Sequence, residues 1–265
     1  MEQFSGPPLA FPSSVAAKYR EELDAMIVQM IGEYQRALFN TPGVTQDESI
    51  ATILARTLRG LSDKWAKRFA ERARTLTDRM ISRTDRYSKA NLNKSLKELS
   101  GGMTLKTPDM PAGLYDRLLA STKENVGLIR SIPEEYHYRI DQAVMRSIQT
   151  GGLGSKTLID EIRHIGHSTE KRAELIAVDQ TRKVTTAMNS ERMKAVGLRK
   201  FEWLHSGGGK EPRELHVEYD GQIFDLDDPP VIDERTGERG LPGQLINCRC
   251  RMRPIVDFTQ YLEEQ

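Results

Sequence analysis

From Val15 to Met80 the apolar residues return every three or four positions, and that spacing admits long amphipathic helices and little else. The first stripe is Val15, Tyr19, Leu23, Met26, Ile27, Met30, Ile31, Tyr34 and Leu38. Ser13 or Ser14 stands where an N-cap is needed, and Thr41-Pro42-Gly43 ends the pattern near Phe39. A second stripe follows in Ile50, Leu54, Leu58, Leu61, Trp65, Phe69, Leu76 and Met80, with Gly60 its only interruption. Each stripe is one face wide, so the two segments are expected to pack as an antiparallel pair. Composition agrees: 29% charged against 38% hydrophobic and 6% aromatic residues suits long helices with one solvated side.

Residues 100–113, SGGMTLKTPDMPAG, concentrate Gly and Pro and break the periodicity, which places a domain boundary there: an N-terminal helical region at 1–105 and a second domain at 106–265. Helical spacing resumes with Leu114, Leu118, Ile129 and Ile132, and restarts after Pro133 with Ile140, Val144 and Ile148. It breaks again at TGGLGS, which lacks the Lys-Ser/Thr of a phosphate loop and reads as plain loop. A short helix around 159–165 and a longer one over 169–196 come next, with Ile176, Val184 and Met188 as core positions. From Lys200 onward FEWLHS, GQIFDL and CRMRPIV read as strands between Gly, Pro and Asp clusters. The expected class is α+β: two thirds helical, then a small mixed module with a short antiparallel sheet at about 200–257.

The net charge of +1 conceals a local imbalance. Between 56 and 97 the acids are Asp63, Glu71, Asp78 and Asp85, against Arg56, Arg59, Lys64, Lys67, Arg68, Arg72, Arg74, Arg79, Arg83, Arg86, Lys89, Lys94 and Lys97. Clustered Lys and Arg neutralise phosphate without reading sequence, so the ten from Arg56 to Arg86 are candidates for non-specific DNA contact. A solvated helix face, or docking on an acidic protein surface, explains the same charges. No apolar run approaches the roughly 18–20 residues of a membrane span, and the start MEQFSGPPLAFPSS has neither the cationic nor the apolar region of a secretory signal. Two cysteines make no disulfide framework, so a reducing, cytosolic setting is expected.

Both cysteines lie in LINCRCRMRP. In an extended strand Cys248 and Cys250 point to one face, with a geometry poor for bridging each other, while Arg249, Arg251 and Arg253 occupy the other. His205, His216, Cys248 and Cys250 are the possible soft-metal ligands, and zinc is the metal they suggest. Against it, structural zinc usually draws on C-x₂₋₄-C turns, and Cys-Arg-Cys is shorter; two thiols buried as small hydrophobes fit equally. His164 and His167 read as helix-end residues. Asp220-Gly221 suits a hairpin turn, and Pro242-Gly243 a type II turn. Glu202, His216 and Asp220 have acid or base chemistry, but no nucleophile motif accompanies them.

In order, AVDQTRKVTTAMNSERMKAVG, FEWLHS, RELHVEYDGQIF and PGQLINCRCRMRP resemble the C-terminal domain of the Mu F-like minor head proteins, or head morphogenesis proteins, of tailed phages. The positions that carry the resemblance are Gln180-Thr181, Asn189, Trp203, His216, Asp220-Gly221, Pro242-Gly243 and Asn247-Cys248-Arg249-Cys250. It covers about 170–256 in detail and reaches loosely back to 114; the first hundred residues carry no part of it, and SGGGKEP at 206–212 departs from it. What the resemblance implies is a virion component of the phage head, made in the host cytoplasm, that meets the portal protein, with capsid or scaffolding protein as further candidate partners, in morphogenesis, packaging or delivery of DNA. It brings no catalytic residues, so the motif positions are expected to be structural. The competing reading is a metal-dependent nuclease or toxin-like enzyme using His216, Cys248 and Cys250.

Overall fold

A computed structural model describes residues 3–39, 49–104, 106–150, 156–207 and 211–257. They form two compact units interleaved along the chain: one drawn from 17–79 and 122–177, the other from 1–16, 80–121 and 178–265.

The first unit is helical. It takes most of α1 (Ser13–Phe39), residues 50–79 of α2 (Ile50–Leu99), 122–149 of α3 (Leu114–Gln149) and 156–177 of α4 (Lys156–Ala195). The expected stripes are buried: Tyr19, Leu23, Ile27, Met30 and Tyr34 on α1, Leu54, Leu58, Trp65 and Phe69 on α2, and Ile129, Ile132, Tyr136 and Ile140 on α3. Antiparallel packing of α1 on α2 is visible in its polar edges. Glu33 accepts from Lys64 Nζ at 2.8 Å and Trp65 Nε1 at 3.0 Å, while Glu22, three turns earlier, lies 4.0 Å from Arg79. Inside, the Tyr19 hydroxyl donates to Asn125 Oδ1 at 2.9 Å, and Asn125 Nδ2 donates to Thr77 Oγ1 at 3.0 Å. Three helices thus satisfy one another's buried polar groups, which would otherwise cost about 1–3 kcal/mol each.

Two breaks expected from the sequence are absent. α3 runs unbroken through Pro133, although proline removes a backbone donor from the ladder. Ile129, Ile132, Pro133, Tyr136 and Ile140 are all buried, so packing on both sides of the proline holds the helix together. α4 is likewise one helix and not two. Ser168 and Thr169 look like caps, but their hydroxyls donate to the carbonyls of His164 at 3.0 Å and Ile165 at 2.9 Å, inside the helix. His164 and His167 consequently sit exposed in mid-helix and not at an end. The glycines of TGGLGS, 151–155, and residues 208–210 of the SGGGKEP segment lie outside the described residues.

The second unit carries the sheet. Its four antiparallel strands are ordered β1 (Gln3–Ser5), β6 (Arg251–Asp257), β2 (Lys200–Leu204) and β3 (Ile223–Asp225), beside a two-stranded ribbon of β4 (Val231–Asp233) and β5 (Glu238–Arg239) and the short helix α5 (Glu214–Glu218). The fold class is α+β, as expected. β1 was not expected: a three-residue strand has no periodicity to read. It is fixed from outside, with Gly6 N–H donating to Pro254 O at 3.1 Å, Leu9 N–H to Met252 O at 2.9 Å and Ser95 Oγ to Pro7 O at 2.7 Å. A Cβ at Gly6 would lie 2.6 Å from Ser95 Oγ, so only glycine permits this approach. Leu92 and Leu96 of α2, Met193 of α4, Phe201 and Trp203 of β2 and Met252 of β6 form the core beneath the sheet.

α4 ends where the strands begin. Leu198 N–H donates to Met193 O and Gly197 N–H to Lys194 O, both at 3.0 Å, with Gly197 at φ 82°. This is the paired C-terminal bonding that a left-handed glycine allows, and it turns the chain directly into β2.

Candidate functional site

β2 alternates its side chains, so Phe201 and Trp203 enter the core while Glu202 faces outward to a 2.8 Å ion pair with Arg253 of β6. Asp220 and Gly221 secure the end of this strand. Gly221, at φ 78°, donates its N–H to Trp203 O at 2.9 Å, and Asp220 Oδ1 accepts the His205 N–H at 2.8 Å. The two residues do not join two strands, as the hairpin reading had it. They close α5 and feed the chain into β3.

α5 exists to place His216, which is 3% exposed. The imidazole lies edge-on to Trp203 at a centroid distance of 5.0 Å, and Tyr219 and Phe224 complete the aromatic wall. His216 Nε2 is 3.1 Å from Ile232 O. A carbonyl only accepts, so Nε2 carries a proton, and in the neutral imidazole Nδ1 presents a lone pair. That lone pair faces both sulfurs: Cys248 Sγ at 3.5 Å and Cys250 Sγ at 3.8 Å.

The sulfurs reach this point through the Pro-Gly turn. Pro242 O accepts the Thr186 hydroxyl at 2.8 Å, anchoring the turn on α4. Gly243, at φ 86°, then aims its N–H at Cys248 Sγ, 3.3 Å away. Asn247 takes the left-handed region at φ 60°, which Asn tolerates better than most residues, and donates its N–H to Asp179 Oδ1 at 3.0 Å. Burial pushes the Asp179 carboxyl above its usual range, partly offset by that N–H. Cys248 and Cys250 are free thiols, 3% and 5% exposed. Backbone N–H groups of Gly243 and Cys250 point at Cys248, and that of Ser206 at Cys250. The hydrogen bond from Cys250 is the main influence that holds the Cys248 thiol well below its usual range, while that same bond and burial push Cys250 upward. The buried Trp203 Nε1 has no hydrogen bond of ordinary geometry, yet it is near enough to Cys250 to favour a thiolate there. Sulfur accepts hydrogen bonds at longer range than oxygen does.

NCRC is therefore not itself a strand. β6 begins at Arg251, and Cys248 to Cys250 form the approach to it. The alternation nevertheless holds: both thiols are buried, Arg249 and Arg251 are exposed, and Arg253 is half-buried against Glu202. Of the four candidate ligands, His216, Cys248 and Cys250 have ligand atoms within 4.8 Å of one another, a grouping that does not include His205. His205 lines a cavity of about 500 Å³ shared with the three, together with Glu211, Arg213 and Asn247.

The basic residues all fall on α2. Arg56, Arg59, Lys64, Lys67, Arg68, Arg72, Arg74 and Arg79 belong to the helical unit, and Arg83 and Arg86 to the sheet unit. All are exposed except Arg83, which is half-buried. Some are engaged locally: Lys64 with Glu33, Arg74 with Asp78 at 3.1 Å, and the Arg68 guanidinium 4.9 Å over the Trp65 ring. Sequence reading missed Arg192 altogether. This fully buried arginine of α4 donates to Ser88 Oγ at 2.9 Å, to Asp109 O at 3.3 Å and to the Asp85 carboxylate, and the Ser88 hydroxyl in turn donates to Asn189 Oδ1 at 2.7 Å. An arginine among surface-type neighbours on a helix gives no sign of burial.

Residues 138–253 match the model of the phage Mu protein F like protein family. An uncharacterized protein of Haemophilus influenzae is 31% identical over 249 residues, 92% of this chain and 54% of its own length. The uncharacterized protein YqbB of Bacillus subtilis is 24% identical over 127 residues, 43% of this chain and 42% of its own. The chain thus spans about half the length of the curated relatives it matches. No solved structure gives a significant match. Residues 138–253 thus form a region similar to the phage Mu protein F like family.

Proposed function

We propose that the protein is a structural component of a tailed-phage head, acting in head morphogenesis at the portal vertex, where DNA is packaged or delivered. The observation that supports this most is the family match over 138–253, whose motif residues are spent on one another: Asp220 on the His205 amide, Gly221 on Trp203, Gly243 on Cys248 and Asn247 on Asp179. Residues so engaged stiffen a module for assembly. Co-expression with the portal protein of the same phage tests the partner. A complex that survives size-exclusion chromatography supports portal association, and separate elution of the two counts against it.

A second reading, a metal-dependent nuclease or toxin-like enzyme, draws on one observation: three buried soft ligands beside a cavity of about 500 Å³. It requires turnover of nucleic acid that His216→Ala abolishes. The head component requires none.

Within the head reading, α2 contributes non-specific DNA contact. Arg56, Lys67 and Arg74 are spaced by three and two turns on the side away from Leu54, Trp65 and Phe69. The full chain is expected to retain duplex DNA at low salt. Changing all three to Gln should flatten the dependence of log K on log salt by up to about 3, since each phosphate contact contributes about 0.9. Absence of retention by the unaltered chain in low salt would remove DNA from the account, as would an unchanged slope in the triple variant remove this surface.

A further inference from the structure

We infer that His216, Cys248 and Cys250 bind one zinc ion through imidazole Nδ1 and two thiolates, leaving a fourth position to solvent on the cavity side. A tetrahedral zinc with Zn–S about 2.3 Å and Zn–N about 2.0–2.1 Å sets its N···S edges at about 3.6 Å. The two Nδ1···Sγ separations here are 3.5 and 3.8 Å. Both N···S edges therefore already stand close to the spacing a bound ion sets.

The groups around the three ligands suit a metal as well. A metal-binding imidazole needs its other nitrogen fixed by an acceptor, and Nε2–H is fixed on Ile232 O. Thiolates buried beside a cation need N–H donors to spread their charge, and Gly243 N–H supplies one at 3.3 Å. Packing alone explains neither. Two cysteines serving as small hydrophobes have no use for a positive-φ glycine aimed at one sulfur, or for a tautomer that turns a lone pair on both. The short Cys-Arg-Cys spacing ceases to be an objection, because the two sulfurs converge from an extended segment and not from a knuckle. All three residues also line the cavity, so the site is of the open kind, with three protein ligands and an exchangeable fourth. The site stands whether or not the protein acts in the head.

The test uses the full chain expressed with zinc and purified under reducing agent. Elemental analysis is expected to give one zinc per chain, and both thiols should resist a disulfide reagent until a chelator is added. Cobalt exchanged into the site should show tetrahedral visible bands with sulfur charge-transfer absorption, and added imidazole should shift them through the open position. His216→Ala should lose the metal; His216→Cys, which restores a soft ligand, should recover it, an outcome that mere misfolding would not produce. The inference is overturned if the unaltered chain carries no metal and its thiols react at once with no change on chelation. It is overturned equally if metal persists in a Cys248→Ser/Cys250→Ser double variant.

Discussion

Trp203→Ala is expected to destabilise the sheet unit by about 3–5 kcal/mol, the range for emptying a buried aromatic site. Trp203 is fully buried, contacts His216, Tyr219 and Phe224 edge to face at centroid distances of 5.0, 5.4 and 6.2 Å, and its backbone pairs with Met252 and Gln222. The loss combines apolar area, three ring contacts and a cavity next to the imidazole. Collapse into that cavity is hindered because its walls belong to three separate elements. Hydrogen exchange should show protection falling first in 200–204 and 251–257. Trp65, the other tryptophan, then reports the helical unit alone. A shift under about 1 kcal/mol in denaturant unfolding would mean that the aromatic wall does not organise the module.

Arg192→Met should cost about 3 kcal/mol, the lower end of what breaking a buried pair by removing one partner costs. The guanidinium is 0% exposed, whereas the Asp85 side chain keeps 28% exposure and a second partner in Lys89 at 3.0 Å, so the abandoned carboxylate can partly rehydrate. Ser88 also loses its donor, though it retains Asn189. Adding Asp85→Asn to the methionine variant should recover part of the loss, since the unpaired charge goes with it. Equal destabilisation by the single and double variants in urea melts would place the cost in packing and not in the charge.

The helical architecture was legible because amphipathic periodicity is a direct record of burial: Tyr19, Leu23, Leu54, Trp65 and Ile140 all face the core that their spacing requires. Pro133 and Ser168-Thr169 misled for one reason. Local preference for a break is worth a few kcal/mol at most, and tertiary packing across the site outweighs it. β1 was invisible because a strand held by Pro254, Met252 and Ser95 takes its conformation from partners some 90 to 250 positions away. Around the site, Asp220-Gly221 and Pro242-Gly243 could be recognised as turns, but what each turn holds could not. That Gly243 serves Cys248, and that Thr186 and Asp179 anchor the loop from α4, is a matter of convergence in space. The same holds for His205, whose residue type equals that of His216 while only the latter joins the sulfurs.

The central claim, that this chain is a phage head component, is tested most directly by quantitative mass spectrometry of purified heads beside empty precursor particles, with the portal protein as internal reference. The account predicts this chain at a small, fixed ratio to portal in both particles. Its absence from both would contradict the head reading, and the His216, Cys248 and Cys250 cluster would then have to be tested as an active site.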